Sequence, residues 1–254
     1  MDGCGEEESR GLLQGSMTTP LTEIPSMLLP EAAQVEDPAV RAALQKYGLK
    51  LTEARRKLLQ GVVSRRTRHF SLVMEDLKDP HNISAVIRTC EVFGFQDVHV
   101  INEVNPYRVT RSVLKGSYKW LDIFCHSSRV ECLDNLRSRG YQIAVASTSA
   151  ETSLYDLDLS KPVAFYLGSE TMGNHPETLK RADVRFRIPQ QGLTESLNVS
   201  VCAGVIIATL DHWLREQGRD KHSLSAEERS ALLATFYERS AVGVDRNSPI
   251  HYLD

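Results

Sequence analysis

From residue 70 to residue 214, short apolar runs alternate with segments of helical spacing, and no other feature restricts the fold as strongly. A strand that crosses through a helix to the next strand joins the same sheet in parallel, so the pattern specifies an α/β protein with a parallel sheet covered by helices. Strands are expected at 70–75, 97–101, 120–124, 141–146, 163–167 and 184–188. Helices are expected at 83–93 and 128–139, closed by Gly94 and Gly140, and at 176–182 and 197–214. The last should start from Ser196 as N-cap and bury Leu197, Val201, Val205, Ile206, Leu210 and Trp213. Outside this body, Thr52 opens a basic amphipathic helix at 52–63, and Ser225 with Glu228 forms a capping box for one at 225–238.

Charge divides the chain. Residues 1–40 hold eight acids against the single base Arg10, so the overall charge of −3 leaves +4 on the remainder. With Pro20, Pro25, Pro30 and Pro38 the opening stretch is expected to be a poorly ordered extension over 1–48, ahead of a main domain at 49–216 and a helical extension at 217–254. Arg55, Arg56, Lys57, Arg65, Arg66 and Arg68 run without an intervening acid, as do Arg108, Arg111, Lys115 and Lys119. Such clusters suit a polyanion, and helix-like spacing in the second also fits a merely solvated face. No run of eighteen apolar residues offers a membrane span, and Glu6, Glu7 and Glu8 are unlike a signal or transit peptide, so a soluble cytoplasmic protein is expected. The five cysteines are scattered without a C-x-x-C pair, and no histidine pair has ligand spacing, so neither disulfides nor a metal is expected. GSETMG lacks the G-K-[ST] ending of a phosphate loop, DGCGEE follows no strand, and no G-x-S-x-G occurs.

Three separated segments leave a strand through unusual polar residues. LVMEDLKDPHNISAVIRT (72–89) turns at Asp79 and Pro80, with Asn82 read as the helix cap and Arg88 six residues on. FYLGSETMGNHPETL (165–179) carries Gly168, Ser169, Glu170 and Gly173, and RIPQQGLTESLN (187–198) carries Ser196 and Asn198. In an open α/β sheet, ligands sit beyond the carboxyl ends of the strands, where helix N-termini present unpaired N–H groups.

In this order and spacing the segments resemble the three motifs of the SPOUT superfamily, the knotted S-adenosylmethionine-dependent RNA methyltransferases, and within it the SpoU branch of ribose 2′-O-methyltransferases. TEARRKLL, PHNISAVIRTC, GSYKW and SLNVSV are closest to its TrmH group, which methylates a tRNA guanosine, and the resemblance covers about residues 50–216. It departs at QQGLTESLN, where the family often has a more apolar loop. The resemblance implies an α/β knot with a trefoil in its C-terminal half, a bent S-adenosyl-L-methionine held by Ser147, Thr148, Leu167, Gly168, Ile188, Ser196 and Leu197, and a homodimer with a shared active site. It further implies Arg88, Asn82, Glu170, Ser196 and Asn198 as the catalytic set. Because a guanidinium keeps its protons near neutral pH, Arg88 is expected to donate hydrogen bonds that orient the ribose and stabilise its oxyanion, with proton removal by Arg88 the variant reading. Asn82 and Asn198 are expected to position it, and Glu170 to support the network. The basic residues 55–68 and 108–119 would bind tRNA phosphates. The same chemistry on ribosomal RNA or another tRNA position, and a noncatalytic RNA-binding module of the same fold, are the alternatives.

Overall fold

Proline starts the first two helices rather than breaking them. A computed structural model describes residues 28–243 and 250–253. In α1 (Pro30–Ala33) and α2 (Pro38–Gly48) the proline stands at the start of the first turn, where no N–H is needed and its fixed φ suits the helix. Asp37 caps α2 through the amides of Ala39 and Val40. Leu29, Ala32 and Leu44 are buried with Leu59, Leu232, Phe236 and Tyr237 in a helical cluster of their own. The expectation of a poorly ordered extension is therefore corrected for residues 30–48, whose apolar positions have a surface to cover; residues 1–27 lie outside the described residues. Then comes α3 (Glu53–Val63), capped by Thr52 as expected.

The body follows as β1 (Phe70–Glu75), α4 (Pro80–Phe93), β2 (Asp97–Ile101), α5 (Arg111–Leu114), β3 (Asp122–His126), α6 (Arg129–Ser138), β4 (Gln142–Ala146), β5 (Thr152–Ser153), β6 (Val163–Leu167), α7 (Pro176–Arg181), β7 (Val184–Arg187), α8 (Val199–Gln217), α9 (Ala226–Ala241) and β8 (Ile250–Leu253). The strands make one sheet in the order β5-β7-β4-β6-β1-β2-β3-β8, parallel throughout. Strand β1 lies at its centre, with Leu72 opposite Val98 on one side and Phe165 on the other. Phe70, Leu72 and Met74 face the layer of α4 and α8, whereas Val73 faces Cys132, Leu133 and Leu136 of α6. Burial on both faces explains why β6 reads as a continuous apolar run and why β1 carries Leu72, Val73 and Met74 in succession.

The third strand begins two residues later than expected, because Gly116 (φ 82°) starts a 3-10 turn over Ser117–Trp120. At the amino ends of the strands, Arg68 bonds Asp97 (2.8 Å) and Asp122 (2.7 Å), and Arg139 bonds Asp97 (2.6 Å). Arg239 reaches Asp122 at 3.6 Å. Among the described residues no helix is long and apolar enough to cross a membrane.

Candidate active site

All three polar exits open at the carboxyl end of the sheet and meet there. The N-cap of α4 is Asp79, whose carboxylate accepts the amide of His81, and not Asn82 as expected. Relieved of capping, Asn82 sits 9% exposed in the first turn of α4, donates Nδ2 to Glu170 Oε1 at 2.7 Å and accepts from Asn198 Nδ2 at 3.2 Å. Residues 88 and 116 positions distant from Asn82 are thus joined through one amide. Asn198, not Ser196, caps α8, its Oδ1 taking the amides of Ser200 (2.9 Å) and Val201 (3.4 Å). On α8 Ile206 and Leu210 are buried as expected, beside Val199, Ala203, Ile207 and Leu214, and Val205 and Trp213 pack partly buried against the core, whereas Leu197, which precedes the cap, and Val201 are exposed, contrary to expectation.

Beside this junction lies a cavity of about 690 Å³, within the range of small-molecule sites. Ser147, Thr148, Leu167, Gly168, Ile188, Ser196 and Leu197, all seven of the residues expected to hold the cofactor, line it, as does Glu170. Glycine at 168 is obligatory: a Cβ there would stand 2.1 Å from Asn174 N, because the turn closes on itself through Ser169 N to Gly173 O (3.0 Å) and Gly173 N to Ser169 O (2.8 Å). Sequence reasoning missed Glu195 and Cys202, which also line the cavity; burial pushes the Cys202 thiol up to about 11, so it is a neutral wall group. It also missed His99, His126 and Cys132, buried together beneath α6 with His99 Nδ1 and His126 Nε2 2.9 Å apart. Separations of 27 and 6 residues carry no local signature that would reveal this cluster.

Arg88 does not line the cavity of its own chain. It is exposed on α4, with Nη1 directed to Val113 O at 3.5 Å, and neither Asn82 nor Asn198 bonds it. The basic clusters divide sharply. Arg66 is 1% exposed and paired with Glu91 at 2.8 Å, burial lowering its proton affinity, so it is withdrawn as an RNA contact. Arg68 is withdrawn too, being held by Asp97 and Asp122. Arg55 bonds Ser240 and lies over the Trp120 ring, and Arg56 bonds Gly48 O and Leu51 O, so both mainly fasten α3. Lys57 pairs with Glu53, while Arg65, Arg108 and Lys115 are exposed. Arg111 opens α5 and Lys119 lies in the 3-10 turn, so the second cluster is not one helix face.

A parallel sheet with a cavity at the carboxyl ends of its strands, lined by two polar exits and hydrogen-bonded to the third through Asn82, defines a class of α/β small-molecule enzyme site. Residues 69–208 match the SpoU rRNA Methylase family, and the chain belongs to it. The chain is 31% identical over 190 residues to a tRNA (guanosine(18)-2′-O)-methyltransferase of Borreliella burgdorferi, spanning 74% of this chain and 87% of that protein. It is 34% identical over 157 residues to the enzyme of that name from Thermus thermophilus, spanning 61% and 81%. The solved A. aeolicus TrmH/SpoU tRNA modifying enzyme superposes with a TM-score of 0.68 at 30% identity, covering 74% of this chain and 97% of that one.

Proposed function

We propose that this chain transfers a methyl group from S-adenosyl-L-methionine to a ribose 2′-hydroxyl of tRNA, at guanosine 18, in the cytoplasm. The observation that carries this reading is the Glu170–Asn82–Asn198 chain of hydrogen bonds at the rim of the cavity. Relatives at 31% and 34% identity bear that activity in their names.

The cavity fits the methyl donor chemically. Leu167, Phe186, Ile188 and Leu197 supply an apolar wall, Ser147, Thr148 and Ser196 supply hydroxyls, and Glu170 and Glu195 place carboxylates suited to a sulfonium. When bound, S-adenosylmethionine supplies an electrophilic methyl group. The chain's own part is to align the ribose hydroxyl with the donor and to stabilise the charge that develops on its oxygen. Arg88 is suited to the second task as a hydrogen-bond donor, since a guanidinium is a poor base. Asn82 holds Glu170 and Asn198 in register, and Ser196 presents its hydroxyl at the cavity.

Because Arg88 lies outside its own chain's cavity, we propose a homodimer in which each copy lends Arg88 to the other's site. The adjoining α4 and α8 support this, exposing Val92 (67%) and Val201 (52%) without covering them. A trefoil knot in the C-terminal half belongs to the same reading. Its support is the mutual clasp of the exits: Ser147 N donates to Phe186 O at 2.8 Å and Asn174 Nδ2 to Ala146 O at 2.8 Å. Residues 49–216 are the methyltransferase domain in this scheme, and the terminal helices flank the RNA.

The experiment is methylation of a tRNA transcript with labelled donor, mapped by nuclease digestion and mass spectrometry. One 2′-O-methylguanosine at position 18 is expected, absent when that nucleotide is 2′-deoxy. Donor binding without incorporation into any RNA would overturn catalysis, and incorporation elsewhere would overturn the target.

A further inference from the structure

Among the described residues only two non-glycines adopt left-handed backbone, Asp76 (φ 50°) and Lys115 (φ 49°), and they bound the anchorage of one segment that is irregular apart from the single turn of α5. This segment, residues 102–116, leaves β2 and crosses α4 before the 3-10 turn. Its anchors are spaced along it and come from elsewhere. Asp76 Oδ1 accepts Val104 N (2.7 Å) and Asn105 N (3.2 Å), and Asp76 O accepts Asn105 Nδ2 (2.8 Å). Ser84, buried on α4, accepts Thr110 N at 2.7 Å, and Val113 O meets Arg88 Nη1 at 3.5 Å. From Val104 to Leu121 the sequence has no acid, and Arg108 and Lys115 are exposed.

An irregular surface segment pays conformational entropy to be held at four points, and strained backbone persists only where the surroundings impose it. The chemistry left free by this anchorage is cationic and lies beside Arg88. We infer that Asp76 is a positioning residue for the RNA substrate: it fixes 103–115 as an arm whose Arg108 and Lys115 take the phosphates flanking the ribose presented to Arg88. This rests on the function proposed above. Asp76 touches no reacting atom; it acts through the two amides that it accepts. Its second oxygen lies 3.3 Å from Arg129 Nη2, and Arg129 also pairs with Glu103, so the carboxylate's charge is answered inside the protein rather than at the RNA.

Two substitutions separate this role from general structural support. Asp76→Gly removes the acceptor while leaving a residue at ease at positive φ, and Asp76→Asn keeps an Oδ1 for the two amides while replacing the charged oxygen that faces Arg129 with an uncharged amide nitrogen. The assay is the dissociation constant for tRNA across a salt series on full-length protein, with donor affinity and kcat at saturating tRNA measured alongside. Asp76→Gly is expected to weaken tRNA binding about tenfold and to flatten the slope of log K against log salt by about 1.5, the loss of about two phosphate contacts. Donor affinity and kcat should stay within about twofold, Asp76→Asn should bind tRNA like wild type, and Ser84→Ala should reproduce part of the defect. An unchanged slope in Asp76→Gly, an equal loss of donor binding, or an Asn variant as defective as the Gly variant overturns the inference alone. Wild-type protein without salt-dependent tRNA binding overturns the parent reading and this one with it.

Discussion

Replacing Asn82 by aspartate changes two atoms' chemistry and almost no volume, and it strikes the centre of the site. Asn82 Nδ2 now donates to Glu170 Oε1 at 2.7 Å; in Asn82→Asp that donor becomes an oxygen facing another carboxylate, while the Oδ1 bond from Asn198 can survive. A hydrogen bond to a charged group contributes about 1.5–3 kcal/mol, and the exposure of Glu170 to solvent puts this one toward the lower end. Residual repulsion, relieved as the two groups swing apart, brings the cost to about 2 kcal/mol. For a domain of this size that lowers Tm by roughly 4–8 °C. The same energy lost from the transition state lowers kcat/KM by roughly thirtyfold, because Glu170 leaves the cavity rim. Thermal unfolding at pH 7.5 and methyl transfer measured beside Asn82→Ala are the assays; the alanine loses both bonds and should fall at least as far in Tm. Wild-type Tm and turnover in Asn82→Asp would refute the claim that this amide joins the three exits.

Two further outcomes are expected. Gly168→Ala sets a Cβ against the backbone of Gly173 and Asn174, so calorimetric titration should find donor affinity reduced more than about tenfold, and unchanged affinity would show that the turn opens without consequence. His99 and His126 are buried and held neutral, burial taking His126 down to about 4 from the ordinary 6.5. The unfolded chain takes protons that the folded chain refuses, so stability is complete above about pH 6.5 and is lost as pH falls toward 4, by up to about 3 kcal/mol for His126. Urea unfolding at pH 7.5 and pH 5 should show this loss, and a His126→Gln protein with the same pH dependence would exclude His126 as its source.

The parallel sheet was legible because β1, β2 and β6 are buried on both faces, so apolar residues dominate them without a strict alternation. The cavity was legible too, because its lining comes from short polar exits whose order matches a known family pattern. Capping was less readable. Asp79 and Asn82 are both good caps three residues apart, and only the position of Glu170 decides that Asn82 works sideways instead. The cations were misread for a related reason. Arg66 and Arg68 adjoin in sequence to exposed Arg65, and their partners Glu91, Asp97 and Asp122 arrive from β2, β3 and α4, which no local run of residues reveals. Pro30 and Pro38 signalled a break because the surface that makes α1 and α2 worth forming lies some 200 residues away, in α9.

The stitching of Arg68, Arg139 and Arg239 to Asp97 and Asp122 gives the sheet unequal ends. Strand starts are tethered by guanidinium bridges across β2 and β3, while strand finishes, apart from the Arg129 bridge to Asp76 and Glu103, run into long polar connections. Slow motions such as breathing, donor entry and product escape are therefore expected mainly at the rim that holds the cavity. Amide exchange should be slow at the riveted base and quicken toward the opposite margin.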